Sequence, residues 1–218
     1  MIILTGASGG LGQAIRKDLL KIDELQPISY KNGLEFDNKV DLSNSKDIKR
    51  FVDYWKTKLH RITVVHLAAL NFDGLATSYE EAWWDEVMSV NLKGNFLLTK
   101  ALLPTMISDH FGRIIHISSI GMGNIGTIAY STAKSALTGM SKVLAREYAR
   151  YGITSNILQL GYFGSGLFNK FTEEKKKEAI NKIPNKQLGN TKNIVNAIEF
   201  LIKSDYVNGA TIAIDGGV

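Results

Sequence analysis

Tyr130 and Lys134 stand four positions apart in the run Tyr130-Ser131-Thr132-Ala133-Lys134. On an α-helix that spacing sets both side chains on one face. An ammonium beside a phenol stabilises the phenolate and lowers the tyrosine pKa from about 10. Such a tyrosine is a usable proton donor or acceptor near neutral pH. Eleven positions earlier, Ser119 ends a strand-like run, where its hydroxyl can hydrogen-bond a reacting carbonyl oxygen. Taken alone, a tyrosine and a lysine at this spacing are common on solvated helix faces. The pair gains weight only from the rest of the chain.

A second run with chemical content opens the sequence: Thr5-Gly6-Ala7-Ser8-Gly9-Gly10-Leu11-Gly12. It lies between a short apolar strand, Met1–Thr5, and a helix that starts near Gly10 and buries Leu11, Ala14, Ile15 and Leu19. Glycine permits a tight turn there. It also lets the free N–H groups and dipole of a helix N-terminus approach a pyrophosphate. The spacing is Gly6-x3-Gly10-x-Gly12, not GxGxxG, so alone it is also readable as a structural strand-to-helix turn. Its position at the first strand–helix junction favours the dinucleotide reading.

The elements that must hold these runs alternate along the chain, which predicts repeated βαβ units. Strands are expected at Gln26–Tyr30, just before Asp41, at Ile62–Ala68, Arg113–Ser118, Ile153–Leu158 and Ala210–Ile214. Only about ten residues separate the second strand from Asp41, so that crossover lacks a full helix. Helices are expected at Ser45–Leu59 with Ser45 as N-cap, then Tyr79–Ile107 bent or ended by Pro104. Further helices follow at Ala129–Tyr151, Thr172–Lys182 and Thr191–Lys203. The expected fold is α/β: a Rossmann-type, doubly wound, parallel seven-stranded sheet in three αβα layers, one domain over residues 1–218.

Composition narrows the function. The chain has 218 residues, no cysteine and a net charge of +5. Disulfides, thiolate nucleophiles and cysteine zinc sites are therefore excluded. The four histidines, His60, His66, His110 and His116, lack the spacing of a metal motif, and no metal is expected. No apolar run is long enough for a membrane span, no signal segment is expected, and the expected location is cytoplasmic. No nucleic-acid motif is present. Lys170–Lys192 holds seven lysines and three glutamates, readable as a solvated helix face or as attraction for an anionic substrate or carrier.

These runs, in this order, resemble the short-chain dehydrogenase/reductase family over nearly the whole length. The resemblance also covers Val90-Asn91-Leu92-Lys93-Gly94, Gly152-Ile153-Thr154-Ser155-Asn156, Leu160-Gly161 and Asn208–Gly217. It implies an NAD(P)-dependent oxidoreductase that moves hydride between nicotinamide and a carbonyl or alcohol carbon. Tyr130 would be the acid/base, Ser119 would orient the substrate oxygen, and Lys134 would bind the nicotinamide ribose and lower the Tyr130 pKa. Asn91 would help hold a proton-relaying water. Cofactor contacts would come from Gly6, Ser8, Gly9, Gly10, Leu11 and Gly12, from Asp41 at the adenine with Leu42, and from Ala68, Ala69, Tyr130, Lys134, Gly161 and Ser165. A homodimer or homotetramer, pairing the helices that carry Asn91 and Tyr130, is also implied.

Departures from the family pattern are informative. His66-Leu67-Ala68-Ala69 replaces NNAG and resembles the extended branch that includes sugar-nucleotide epimerases, although the chain ends at Val218 without an added substrate domain. Ser118 competes with Ser119, and strand alternation lets only one face the site. Ser29-Tyr30-Lys31-Asn32 has no acid for a ribose 2′-OH, and Lys31 would suit a 2′-phosphate, so NADP(H) is favoured over NAD(H). Residues 161–190 would form a substrate lid, with Phe163, Leu167, Phe168 and Phe171 either facing an apolar substrate or packing the lid down. Lys175–Lys177 raise an acidic acyl carrier as partner, as in 3-oxoacyl-carrier reductases. The alternatives are a sugar or sugar-nucleotide dehydrogenase and a non-catalytic cofactor-binding regulator.

Overall fold

Strands buried on both faces read as unbroken apolar runs, and those here divide their side chains between two cores. The computed structural model describes residues 1–30 and 37–218. Its strands are β1 (Ile2–Thr5), β2 (Leu25–Ser29), β3 (Asn38–Lys39), β4 (Ile62–His66), β5 (Gly112–Ser119), β6 (Ile153–Leu160) and β7 (Thr211–Ile214). All pair in parallel in the order β3-β2-β1-β4-β5-β6-β7. The order reverses direction at β1, which leaves a crevice at the carboxyl ends of β1 and β4.

The helices are α1 (Gly10–Leu19), α2 (Ser45–Trp55), α3 (Glu81–Met88), α4 (Gly94–Ser108), α5 (Ile128–Tyr148), α6 (Glu173–Lys182) and α7 (Lys192–Lys203). Alternate strand residues face opposite ways. Ile3, Val64 and Ile114 join Ile48, Phe51, Leu98 and Leu102 in one core. Leu4, Val65 and Ile115 join Ile15, Leu19, Ile194 and Ile198 in the other. The expected three-layer Rossmann-type sheet is therefore the fold. Each fully buried aliphatic side chain contributes about 1.5–3 kcal/mol of transfer free energy.

Several boundaries differ from the sequence expectation, each for a local reason. β4 stops at His66 because the Ala68 amide is taken by the Thr5 hydroxyl at 3.1 Å, which draws the chain out of the sheet. α2 is capped by Asn44, not Ser45; the Asn44 side chain accepts from the Lys46 amide at 2.9 Å. Pro104 does not end α4, which runs to Ser108. The irregularity comes earlier, in a π turn at Ser89–Lys93 between α3 and α4, where the Gly94 amide donates to Ser89. The short crossover between β2 and β3, with Lys31, falls on residues 31–36, outside the described residues.

One pair of core side chains is polar. His66 and His116 are register partners on β4 and β5, and both are fully buried. Burial holds both rings well below the usual histidine range, His116 at about 3. The unfolded chain takes up protons on these rings below about pH 6.5, and the folded chain does not. Stability is accordingly lost as pH falls from 6.5, by up to about 1.4 kcal/mol per pH unit for each ring. Denaturant melts at pH 7 and pH 5 check this: His116→Asn should flatten the dependence, and an unaltered slope would contradict it.

Candidate active site

The site begins where β1 leaves the sheet. Gly6 has φ +69°, and a Cβ there would lie 2.7 Å from the Ala68 backbone. Thr5, completely buried, fastens the same loop from beside it: its hydroxyl donates to the Val65 carbonyl at 3.4 Å and accepts from the Ala68 amide. The first turn of α1 has no acidic residue, and its N-cap Gly9 offers no side-chain cap. A bare helix N-terminus of this kind suits an anion. Gly9 and Gly10 are exposed, and Ser8 and Leu11 are half-buried.

The far wall of the turn is residues 161–166. A Cβ on Gly10 would meet the Gly166 amide at 2.3 Å, and one on Gly161 would meet Asp215 at 2.6 Å. The Ser165 hydroxyl, beside this turn, is buried with no protein partner among the described residues. An orphaned hydroxyl next to an uncapped helix N-terminus fits a bound dinucleotide, and this is the observation that the cofactor must satisfy. Asp41 spends one oxygen on the Ser43 amide and hydroxyl, at 2.8 and 2.6 Å. Leu42, just after it, closes on α4; a Cβ on Gly94 would lie 2.7 Å from its carbonyl.

β5 and α5 bring the expected proton-handling residues together. The Ser119 oxygen accepts from the Gly121 amide at 3.0 Å, and its hydroxyl lies near enough to the Tyr130 phenol to favour the phenolate. Ser118 points the other way, buried toward the Lys134 carbonyl at 3.5 Å. Strand alternation thus separates the two serines, with Ser119 on the tyrosine's side. Tyr130 is 9% exposed and Lys134 is 2% exposed, with the ammonium 5.7 Å from the phenol ring centre.

Electrostatics correct one expectation. Burial raises the Tyr130 pKa, and the neighbouring Ser119 hydroxyl works against it by favouring the phenolate. Lys134, whose ammonium donates to the Ile117 carbonyl at 2.6 Å, does not offset that burial. Burial brings Lys134 itself down to about 8.

Asn91 makes contacts that its spacing does not announce. Its side chain is committed to the backbone of Leu70, accepting from the amide and donating to the carbonyl, both at 2.8 Å. It clasps the loop after β4 to the π turn, a pairing with Leu70 that no spacing in the chain announces. The Gly74 amide then reaches the Gly126 carbonyl at 2.9 Å, joining this loop to the one between Ser119 and Tyr130. Asn91→Ala removes both clasp bonds and is expected to cost about 2 kcal/mol. Thermal melts measure it; a loss below a few tenths of a kcal/mol would contradict the clasp.

Two residues without a spacing signal, Arg16 on α1 and Asp37 just before β3, meet beside the end of β2. Asp37 is buried, paired with Arg16 at 2.8 Å and accepting from the Ser29 hydroxyl at 2.5 Å. In the expected lid, Phe163 is 3% and Phe168 8% exposed, and Phe163 belongs to the α1–α7 core. Packing, not substrate contact, accounts for those two rings. Among the described residues no group of acids and histidines is arranged to hold a metal, and no helix is long and apolar enough to cross a membrane.

A glycine-lined helix N-terminus at the switch point of a doubly wound parallel sheet, with Ser119 ending β5 and Tyr130 and Lys134 on α5, is the arrangement of a dinucleotide-binding fold. Comparison with known proteins gives the family. Residues 15–218 match the family model described as enoyl-(acyl carrier protein) reductase. The chain is 34% identical to a 3-oxoacyl-[acyl-carrier-protein] reductase of Rickettsia bellii, covering 99% of this chain and 95% of that one. It is 31% identical to the protein of that name from Buchnera aphidicola subsp. Baizongia pistaciae, over 99% and 96%. Nodulation protein G of a Rhizobium species is also 31% identical, over 99% and 95%. The chain belongs to the short-chain dehydrogenase/reductase family and is an NAD(P)-dependent oxidoreductase acting on C=O and CH–OH groups.

Proposed function

We propose that the protein reduces a 3-oxoacyl thioester to the 3-hydroxyacyl thioester with NADPH. The observation that carries the chemistry is the grouping of Ser119, at the end of β5, with Tyr130 and buried Lys134, one helical turn apart on α5. The names of the relatives support the substrate class. Bound nicotinamide supplies the hydride. Ser119 and Tyr130 hold the carbonyl oxygen, and Tyr130 gives it a proton as the alkoxide forms. With its pKa raised by burial, Tyr130 is protonated at neutral pH, the form that reduction needs. Lys134 binds the nicotinamide ribose and keeps a positive charge near the developing anion. Asn91 positions the loop after β4 through Leu70.

Gly6, Ser8, Gly9, Gly10, Leu11 and Gly12 would take the pyrophosphate, Asp41 and Leu42 the adenine side. Ala68, Ala69, Gly161 and Ser165 would take the nicotinamide half. The whole chain works as one domain, with residues 161–190 as the lid. Lys175 and Lys177 are exposed on α6, which suits an acidic carrier holding the substrate. Self-association into a dimer or tetramer would use the surface groove of about 680 Å³ lined by Met88, Leu92, Phe96 and Met140.

His66 of the HLAA segment is fully buried against His116, so this departure does not reach a substrate and lends no weight to a sugar-nucleotide reading. A panel of 3-oxoacyl thioesters, simple ketones and sugar nucleotides tests the substrate class; turnover confined to sugar nucleotides would overturn it. NADPH preference rests on Lys31 by its place after β2, and on Asp37 already being paired with Arg16 and Ser29. Lys31→Glu is expected to weaken NADPH binding about tenfold or more, the effect of losing one phosphate contact, with NADH little changed. Equal effects on both would remove the preference.

A further inference from the structure

Asn91, Asn95 and Thr99 recur at four-residue intervals from the π turn into α4, and none is more than 1% exposed. Asn91 is used by Leu70. Opposite the others, the His66 and His116 rings stack with centroids 5.0 Å apart and planes within 9°. The His66 Nε2 and the Thr99 hydroxyl share a hydrogen bond of 2.8 Å. Nδ1 of His66, both ring nitrogens of His116 and both amide atoms of Asn95 are buried with no protein partner among the described residues.

Five such atoms together are hard to leave unmade, since each unsatisfied buried polar group costs about 1–3 kcal/mol. Their neighbours on the same sheet face, Val64 and Ile114, are apolar, so nothing in the surrounding core calls for polarity. The charged group in reach is Lys134, bonded to the carbonyl of Ile117, the residue after His116. The titratable groups that act on the two rings are each other and Lys134, while α4 faces them with amides and hydroxyls alone. Neutral imidazoles and an amide offer both donors and acceptors, the two to four partners that an internal water takes.

We propose that His66, His116, Asn95 and Thr99 enclose an internal water site, and that this water solvates Lys134 from within the core. The water site explains why two histidines occupy a core position at the β4–β5 register. It also opposes the loss of charge that burial imposes on Lys134. The inference extends the reading of Lys134 as the cation of the active site, yet its test needs no turnover.

The test pairs a high-resolution crystal structure of the full chain with an NMR titration of lysine labelled at Cε. Ordered water is expected in contact with His116 and Asn95. In His116→Phe, which keeps the stacked shape and removes both nitrogens, Lys134 should titrate about one pH unit lower than in the parent. His116→Asn, still polar, should restore most of the difference. Asn95→Leu, from the opposite wall, should reproduce the downward shift and serves if His116→Phe does not fold. A dry contact between His116 and Asn95, or an unmoved Lys134 in the variants that fold, would overturn the proposal. An active Tyr130→Phe enzyme would overturn the catalytic reading alone and leave the Lys134 titration standing.

Discussion

Tyr130→Phe is expected to lower reductive turnover by about 10²–10⁴-fold, the usual worth of a positioned acid/base. Cofactor affinity should stay essentially unchanged, because the ring, buried to 9% exposure, is preserved and only its oxygen is lost. The reason is geometric. The phenol is the titratable group beside Ser119, and Ser118 is buried against the Lys134 carbonyl. The pH dependence follows from the raised pKa of Tyr130. Reduction consumes the phenol proton, so Tyr130 itself should limit the rate only as pH climbs beyond the ordinary phenol value of about 10, while loss of the Lys134 charge acts earlier, around pH 8. Alcohol oxidation needs the phenolate and should rise over the same range. Steady-state rates in both directions and a cofactor titration check this. Full turnover in Tyr130→Phe would remove Tyr130 from the chemistry.

The second large effect is expected at Gly12. A Cβ there would lie 2.3 Å from the Gly6 carbonyl and 2.8 Å from the Ala7 backbone, all rigid main chain. Gly12→Ala therefore has to push α1 away from the turn after β1, the turn that would cradle the pyrophosphate. The strain is about 2–3 kcal/mol, or roughly 5–10 °C in Tm for a chain of this size. Nicotinamide-dinucleotide affinity should fall with it. Gly139→Ala is the control: it is a glycine inside α5 with nothing within 4 Å, so alanine should be neutral or stabilising there. Equal, small effects at both positions would show that the close approach at Gly12 does not matter.

Much of this was legible in the chain because its signals are local. The glycine spacing marks a turn, the Tyr130–Lys134 spacing marks one helix face, and apolar runs of strand length mark a sheet buried on both sides. The strand order added little that these did not already imply. What stayed hidden depends on register or on side chains reaching across layers. His66 and His116 are far apart in sequence and meet only because β4 and β5 pair residue for residue. The Asn91 clasp on Leu70 and the Thr5 bond to Ala68 carry no spacing signal. The π turn at Ser89–Lys93 breaks what reads as one continuous helix, since a single extra residue per turn barely disturbs the apolar pattern. The Tyr130 pKa was expected to be lowered by its neighbour; burial outweighs that neighbour once Lys134 is seen bonded to Ile117.

The central claim is that this chain delivers hydride from nicotinamide to a carbonyl carbon. Incubating the enzyme with a 3-oxoacyl thioester and NADPH doubly deuterated at the nicotinamide C4, then weighing the product by mass spectrometry, tests it most directly. The account predicts a 3-hydroxyacyl product carrying a single deuterium on the carbinol carbon, with matching loss of reduced cofactor. Product without deuterium, or no product while the cofactor binds tightly, would contradict it.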